Sequence, residues 1–102
     1  MAFSNYLSNE ILDHVFSGNA FTAPSNYYVA LYTVAPTASG GGTEVTGGGY
    51  VRQTATFTTS ATQSTNQSAI EFPTASAAYG NVVACAVLDA SSGGNLLAFA
   101  NL

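Results

Sequence analysis

The sequence predicts a mainly β fold: a small sandwich or jelly-roll-like barrel of about six strands, with one N-terminal amphipathic helix packed on an end or edge of the sheet. Three observations lead there. The first eighteen residues carry apolar side chains at helical spacing. Beyond them the chain breaks into short segments rich in Tyr, Val, Thr and Phe, separated by Gly, Ser, Asn and Pro, which is how a β domain reads. The length of 102 residues, with no linker-like shift in composition, makes residues 1–102 one domain, divided into a helix over 1–18 and a β part over 19–102.

The helix is expected over residues 4–17, because Leu7, Ile11, Leu12, Val15 and Phe16 recur three and four residues apart. Ser4 or Ser8 supplies its N-cap, Glu10 sits in the early turns where the helix dipole favours an anion, and Gly18 falls where a left-handed residue ends a helix. The first strand, 27–33, is apolar on both alternating faces (Tyr28, Ala30, Tyr32 against Val29, Leu31), so it is expected at the centre of the sheet. A short piece at 43–46 leads into a strand over 50–58. Strands are also expected over 69–72, 81–88 and 96–101.

The most legible local structure is the stretch around Gly47, Gly48 and Gly49, a glycine triplet between two strand-like arms. Read as a hairpin, it sets Thr46 opposite Tyr50, Val45 opposite Val51 and Glu44 opposite Arg52. The Glu44–Arg52 pair would then fix register more than stability, since a one-residue slip separates it. Residues 35–42 and 58–68, rich in Gly, Ser, Thr, Gln and Asn, are expected as exposed loops or extended arms that can lie on a neighbour.

Charge is scarce. Arg52 is the one basic residue apart from His14, there is no Lys, and charged residues make up 6% of the chain, against roughly a quarter in ordinary soluble domains. A surface of hydroxyls and amides sheds water at lower cost than one of Lys and Glu, which interface cores avoid. The composition therefore suits a component of an assembly. It also excludes functions: a net charge of −4 with one Arg cannot neutralise phosphates, so no nucleic-acid partner is expected, and a phosphate-binding Walker loop lacks its Lys. The N-terminus lacks the basic start and apolar run of a secretory signal, and the apolar run at 82–88 is far too short to span a membrane. Cys85 is the single cysteine, lies within that run and reads as a small buried hydrophobe.

Catalytic and metal sites find little material. His14 is the only histidine, and its neighbour Asp13 points about 100° away on the helix, so the two do not form a base and its orienting acid. No cofactor, metal or catalytic residue is expected. Residues 89–95 resemble a calcium loop superficially but lack repeated acids and the closing Glu, so they read as a turn in which Asp89 binds local amides. Glu44, Glu71 and Asp89 are a weak basis for glycoside hydrolysis. The sequon at 66–68 is read as chance. Six tyrosines leave a sugar-binding surface as an alternative, although in strands their usual place is in packing.

The segment Leu12-Asp13-His14-Val15-Phe16, followed by Thr22-Ala23-Pro24 and Tyr28-Val29-Ala30-Leu31-Tyr32, resembles the opening of a family of small tailed-bacteriophage virion proteins, often labelled tail-fibre-like. The resemblance continues through residues 41–53, through Glu71-Phe72-Pro73-Thr74-Ala75 and Tyr79-Gly80-Asn81-Val82, and through residues 88–97. It implies a non-enzymatic virion component, assembled in the host cytoplasm and not secreted. Its partners would be capsid or tail subunits and further copies of itself, a trimer by analogy with phage fibres and decoration proteins. Within that frame a capsid decoration or cement protein is expected first, because the chain has neither fibre repeats nor heptads. A tail-fibre or receptor-binding component recognising host glycans is the alternative. Family members usually continue past the strand at 96–97 into a further strand, so the sheet is expected either to be covered at that edge by a neighbouring chain or to close differently.

Overall fold

The computed structural model describes residues 2–60, 63–66, 70–72 and 78–102. Their order is β1 (Ala2–Phe3), α1 (Asn5–Phe16), β2 (Tyr27–Val34), β3 (Thr43–Glu44), β4 (Gln53–Ala55), β5 (Phe57–Ser60), β6 (Gln63–Asn66), β7 (Ala84–Leu88) and β8 (Leu96–Asn101). The protein is mainly β with one N-terminal helix. Its main sheet runs β1-β8-β7-β2, with β3 and β4 both on the far edge of β2, and β5 and β6 form a separate antiparallel pair. The sheet is open, not closed into a barrel.

The three long strands do what their apolar patterns require. Ala30 pairs with Ala86 and Tyr32 with Ala84, and Ala86 in turn faces Phe99 on β8, so these side chains share one face. Ala30, Ala84 and Ala86 have no accessible surface, and with Tyr32 and Leu88 they form the core, flanked by Val83, Leu96 and Phe99. Val87 and Leu97 are buried beside Leu7, Tyr27 and Phe57, and the Tyr27 and Phe57 rings meet edge to face at 5.8 Å. Cys85 is half-buried between two strands.

α1 is defined by its caps more than by its packing. The Ser4 hydroxyl accepts from the Leu7 amide (3.1 Å) and donates to the Leu96 carbonyl, and Ser4 is 2% exposed. At the other end Gly18 has φ +74°, and the amides of Ser17 and Asn19 both donate to the Asp13 carbonyl, a left-handed terminus. Yet no residue of the helix is buried. The expected seat on the sheet is thus confined to its N-terminal turn, where Ser4 reaches β8. Ser4→Ala should cost about 1–2 kcal/mol in urea unfolding, since it removes a cap and leaves the Leu96 carbonyl unpaired. Ser8→Ala, in the helix interior, should be close to neutral. Equal losses would refute the assignment of the cap to Ser4.

Several boundaries differ from the sequence expectation. The arms flanking Gly47–Gly49 do not pair with each other. β3 pairs with Tyr32 and Val34, and β4 with Tyr27–Val29, so residues 43–55 run along one edge of β2 with an excursion over residues 46–52. Pairing to the open edge of a central strand outweighs a local hairpin because it also covers β2. The expected strand over 50–58 is therefore split, with Tyr50–Arg52 in the excursion and Phe57 starting β5. The polar stretch expected as loop includes a hairpin, β5–β6, with Phe57 opposite Asn66 and Ser60 opposite Gln63. Ile70, Glu71 and Phe72 pair with no strand, and Ala69 lies outside the described residues. The outer edge of β8 is met by the chain's own N-terminus, Ala2 opposite Phe99 and Phe3 opposite Ala98.

Candidate functional site

The excursion over residues 46–52 carries the most organised polar cluster among the described residues. After Val45 donates its amide to the Leu31 carbonyl (2.9 Å), the chain leaves β2, turns at Gly47–Gly49, and returns at Gln53 opposite Val29. The three glycines have φ of +76°, +62° and +80°, a run of left-handed conformations that residues with a Cβ adopt only at a cost. The Tyr50 amide closes the turn on the Gly47 carbonyl at 3.0 Å.

Leaving β2 would strand the Leu31 amide on an uncovered edge. The Tyr50 hydroxyl fills that gap: it accepts from the Leu31 amide at 3.1 Å and donates to Glu44 Oε2 at 2.6 Å. Its ring stacks on Phe72 at 5.9 Å and meets Tyr79 edge-on at 5.8 Å. Arg52 completes the group. Nε and Nη2 donate to Glu44 Oε2 and Oε1 at 2.8 and 2.7 Å, and Nη1 donates to the carbonyls of Ala90 (2.9 Å) and Gly93 (2.8 Å). The side chains of Arg52 and Glu44 are 9% and 24% exposed. The lone Arg thus joins the 46–52 excursion to the 89–95 loop, which holds its own shape through Asp89: its two oxygens accept from the amide (2.6 Å) and side chain (3.0 Å) of Asn95.

Electrostatics follow from these contacts. The Arg52 guanidinium, with help from the Tyr50 hydroxyl, holds the Glu44 carboxyl below its ordinary value of 4.5 against the opposing effect of burial. Glu44 in turn raises Arg52. Burial, then its hydrogen bond to Glu44, pushes Tyr50 well up, and burial followed by the Glu44 charge raises Tyr32. Glu44 is therefore an ionised structural anion and not a proton donor at neutral pH.

A groove of about 570 Å³ lies along the two loops, lined by Val45, Thr46, Tyr50 and Val51 on one side and Ser91 and Ser92 on the other. It presents the hydroxyls of Thr46, Ser91 and Ser92 and backbone, while Glu44 and Arg52, also in its lining, are paired with each other and Glu44 with the Tyr50 hydroxyl. His14 is at the end of α1, with Nδ1 3.0 Å from the Asn19 carbonyl, while the Asn19 side-chain amide donates to both oxygens of Asp13 at 3.0 Å. Among the described residues no three His, Cys, Asp or Glu side chains converge as metal ligands, and no helix is long and apolar enough to cross a membrane.

The residues singled out in the sequence are thus found in one cluster, with Glu44 against Arg52 and Gly47–Gly49 at the loop tip, in a looped excursion where a hairpin was expected. Sequence reasoning did not find Tyr50 as the joint of the cluster, nor the Ala90 and Gly93 carbonyls. Tyr50 had one available signal, its place two residues before the only Arg. The carbonyls had none.

Residues 2–102 match the profile of the family described as Podophage GP4 fiber I protein gp80. The chain belongs to this family. It is a family of tailed-phage virion structural proteins, and the match covers the helix, the sheet and the Glu44–Arg52 cluster alike. No curated protein matches the chain.

Proposed function

We propose that the chain is a fibre component of a tailed-phage particle and acts by contact, not by turnover. The observation that carries this reading is the family match over residues 2–102, whose description names a fiber protein. The site chemistry agrees with it: the most ordered polar cluster ties two loops together and consumes its own acid and base in doing so. The surface has few charges to desolvate, which suits close contact with other virion proteins and with further copies of the chain. A threefold arrangement belongs to this proposal by analogy with phage fibres.

The expectation of a capsid decoration protein rested on a compact chain without repeats. The principal extents are 47 × 27 × 21 Å, an elongated body, and with the family description this moves the weight to the fibre. Recognition of host glycans through tyrosines has less support, because Tyr32 is buried and Tyr50 is committed to Glu44, Phe72 and Tyr79. Immunogold labelling of the source particle tests the reading. Gold on appendages of the tail or neck is the expected result, and gold scattered over the head would replace it with capsid decoration.

A further inference from the structure

Arg52 also lines a second cavity, of about 410 Å³, set between the first turn of α1, residues 38–41 and residues 93–96. Tyr32 forms part of its wall. The residue is 7% exposed, yet its hydroxyl has no hydrogen-bond partner among the described residues, which is uncommon for a polar group so deeply placed. No sealed side-chain oxygen or nitrogen among those residues lacks a partner, so this hydroxyl is open to space, and the space that Tyr32 lines is the cavity. Burial and the Glu44 charge keep it protonated, so it stands ready as a donor. Tyr32 lies opposite Glu44 in the β2–β3 pair and Glu44 holds Arg52, which sets the hydroxyl and the guanidinium on one wall. The guanidinium donates to Glu44, Ala90 and Gly93 and keeps one N–H, on Nη2, unused. At the start of α1 the amides of Asn5, Leu7 and Ser8 are taken by the Ala38 carbonyl and by Ser4, while that of Tyr6 has no partner among the described residues. The cavity is therefore rich in unused donors. It is lined by the sole Arg of a chain of net charge −4, and by no Asp or Glu.

We propose that this cavity binds a polyhydroxy carboxylate of about a monosaccharide's size, a uronic acid being the simplest case, whose carboxylate accepts from the Tyr32 hydroxyl and the unused Arg52 N–H. The positive end of the α1 dipole faces the same space and favours an anion there. A single negative charge fits better than the two of a phosphate, because Glu44 already offsets the guanidinium. An ammonium ligand would find no acid on the wall. Around the carboxylate, Asn5, Ser39 and Asn95 offer amide and hydroxyl groups that can donate to or accept from sugar hydroxyls, and that an unbranched fatty acid would leave unmatched. The volume falls within the range of small-ligand pockets, about 300–1,000 Å³. The inference concerns a pocket of the chain itself and does not depend on where the particle carries it.

Isothermal titration calorimetry of the full chain tests it with glucuronate, glucose and inorganic phosphate as probes. Glucuronate should bind with a Kd of about 1 mM or tighter. Glucose, which lacks the charge, and phosphate, which lacks the hydroxylated body, should bind about tenfold more weakly or worse. Tyr32→Phe keeps the ring and removes a hydroxyl that no described group uses, so it should leave the urea midpoint unchanged while weakening glucuronate about tenfold. No binding of glucuronate, equal binding of glucose or phosphate, or a folded Tyr32→Phe that binds like the wild type overturns the proposal. Amide NMR of the wild type decides without any variant. Glucuronate should shift the signals of Tyr6, Gly41 and Gly94, and shifts confined to residues 46–51 would overturn the placement. An oligosaccharide ending in glucuronate separates the two sources of such a ligand: binding equal to the free acid assigns the site to the end of a saccharide chain, rejection assigns it to the free acid, and both uphold it. Failure of every probe leaves the immunogold result, and hence the fibre reading, standing.

Discussion

Replacing Gly42 by Ala should destabilise the protein by about 2–5 kcal/mol, read as a lower urea midpoint. Two costs combine. Gly42 has φ +76°, and a residue with a Cβ in that region costs about 1–2 kcal/mol. The added Cβ would also lie 2.6 Å from the Val34 carbonyl oxygen, 2.8 Å from the Pro36 nitrogen and 3.0 Å from the Ala35 carbonyl carbon. All three are backbone atoms, so no side chain can rotate away, and forced repacking adds about 1–3 kcal/mol. The position matters because Gly42 delivers the chain from the 35–42 loop into β3, where Thr43 pairs with Val34 and Glu44 with Tyr32. Gly41→Ala is the control. Its φ is +77°, but nothing lies within 4 Å of its Cβ position, so it should show the conformational cost alone. Equal midpoint shifts for the two variants would mean that the close approach to the Val34 carbonyl contributes nothing.

How much of this was legible in the sequence depends on whether the cause was local. The ends of α1 were, because Ser4 and Gly18 act within a few residues of themselves. So were β2, β7 and β8, since a strand buried on both faces must be apolar on both. The excursion over residues 46–52 was not. A glycine triplet says that the chain turns, but the partner of each arm is set by the open edge of β2, which no local pattern records. The β5–β6 hairpin was hidden for another reason: the side chains of Thr58, Thr59 and Ser60 are exposed, so no alternation marks them as strand. The uncovered side of α1 was misread because an amphipathic pattern specifies that a face will be buried without specifying by what. For the candidate site, the Glu44–Arg52 contact was expected from a hairpin register that does not form; the two side chains meet although their arms pair with β2 and not with each other. The reach of Arg52 to Ala90 and Gly93, 38 and 41 residues further on, was not legible.

That reach determines what Arg52 is worth. Arg52→Met should cost roughly 3 kcal/mol, nearer a buried ion pair than the 1 kcal/mol or less of an exposed one, because Arg52 is 9% exposed and four donated bonds are lost at once. Glu44 would retain only the Tyr50 hydroxyl, and the 89–95 loop would lose its tie to the excursion. Arg52→Lys should recover only part of the loss, since a single ammonium cannot replace a fork that binds both carboxylate oxygens and two carbonyls. The acid limb of the stability curve gives an independent check. The Glu44 carboxyl sits below 4.5 in the folded protein, so the unfolded chain takes up its proton first. The stabilisation from ionised Glu44 is then complete above the unfolded value and is lost as pH falls through the folded one. The wild type should weaken over that acid window more steeply than Arg52→Met, in which the cation that depresses Glu44 is gone. Coincident acid limbs, or a loss for Arg52→Met within the range of an exposed pair, would show that solvent screens the contact and that the two loops are held together by something else.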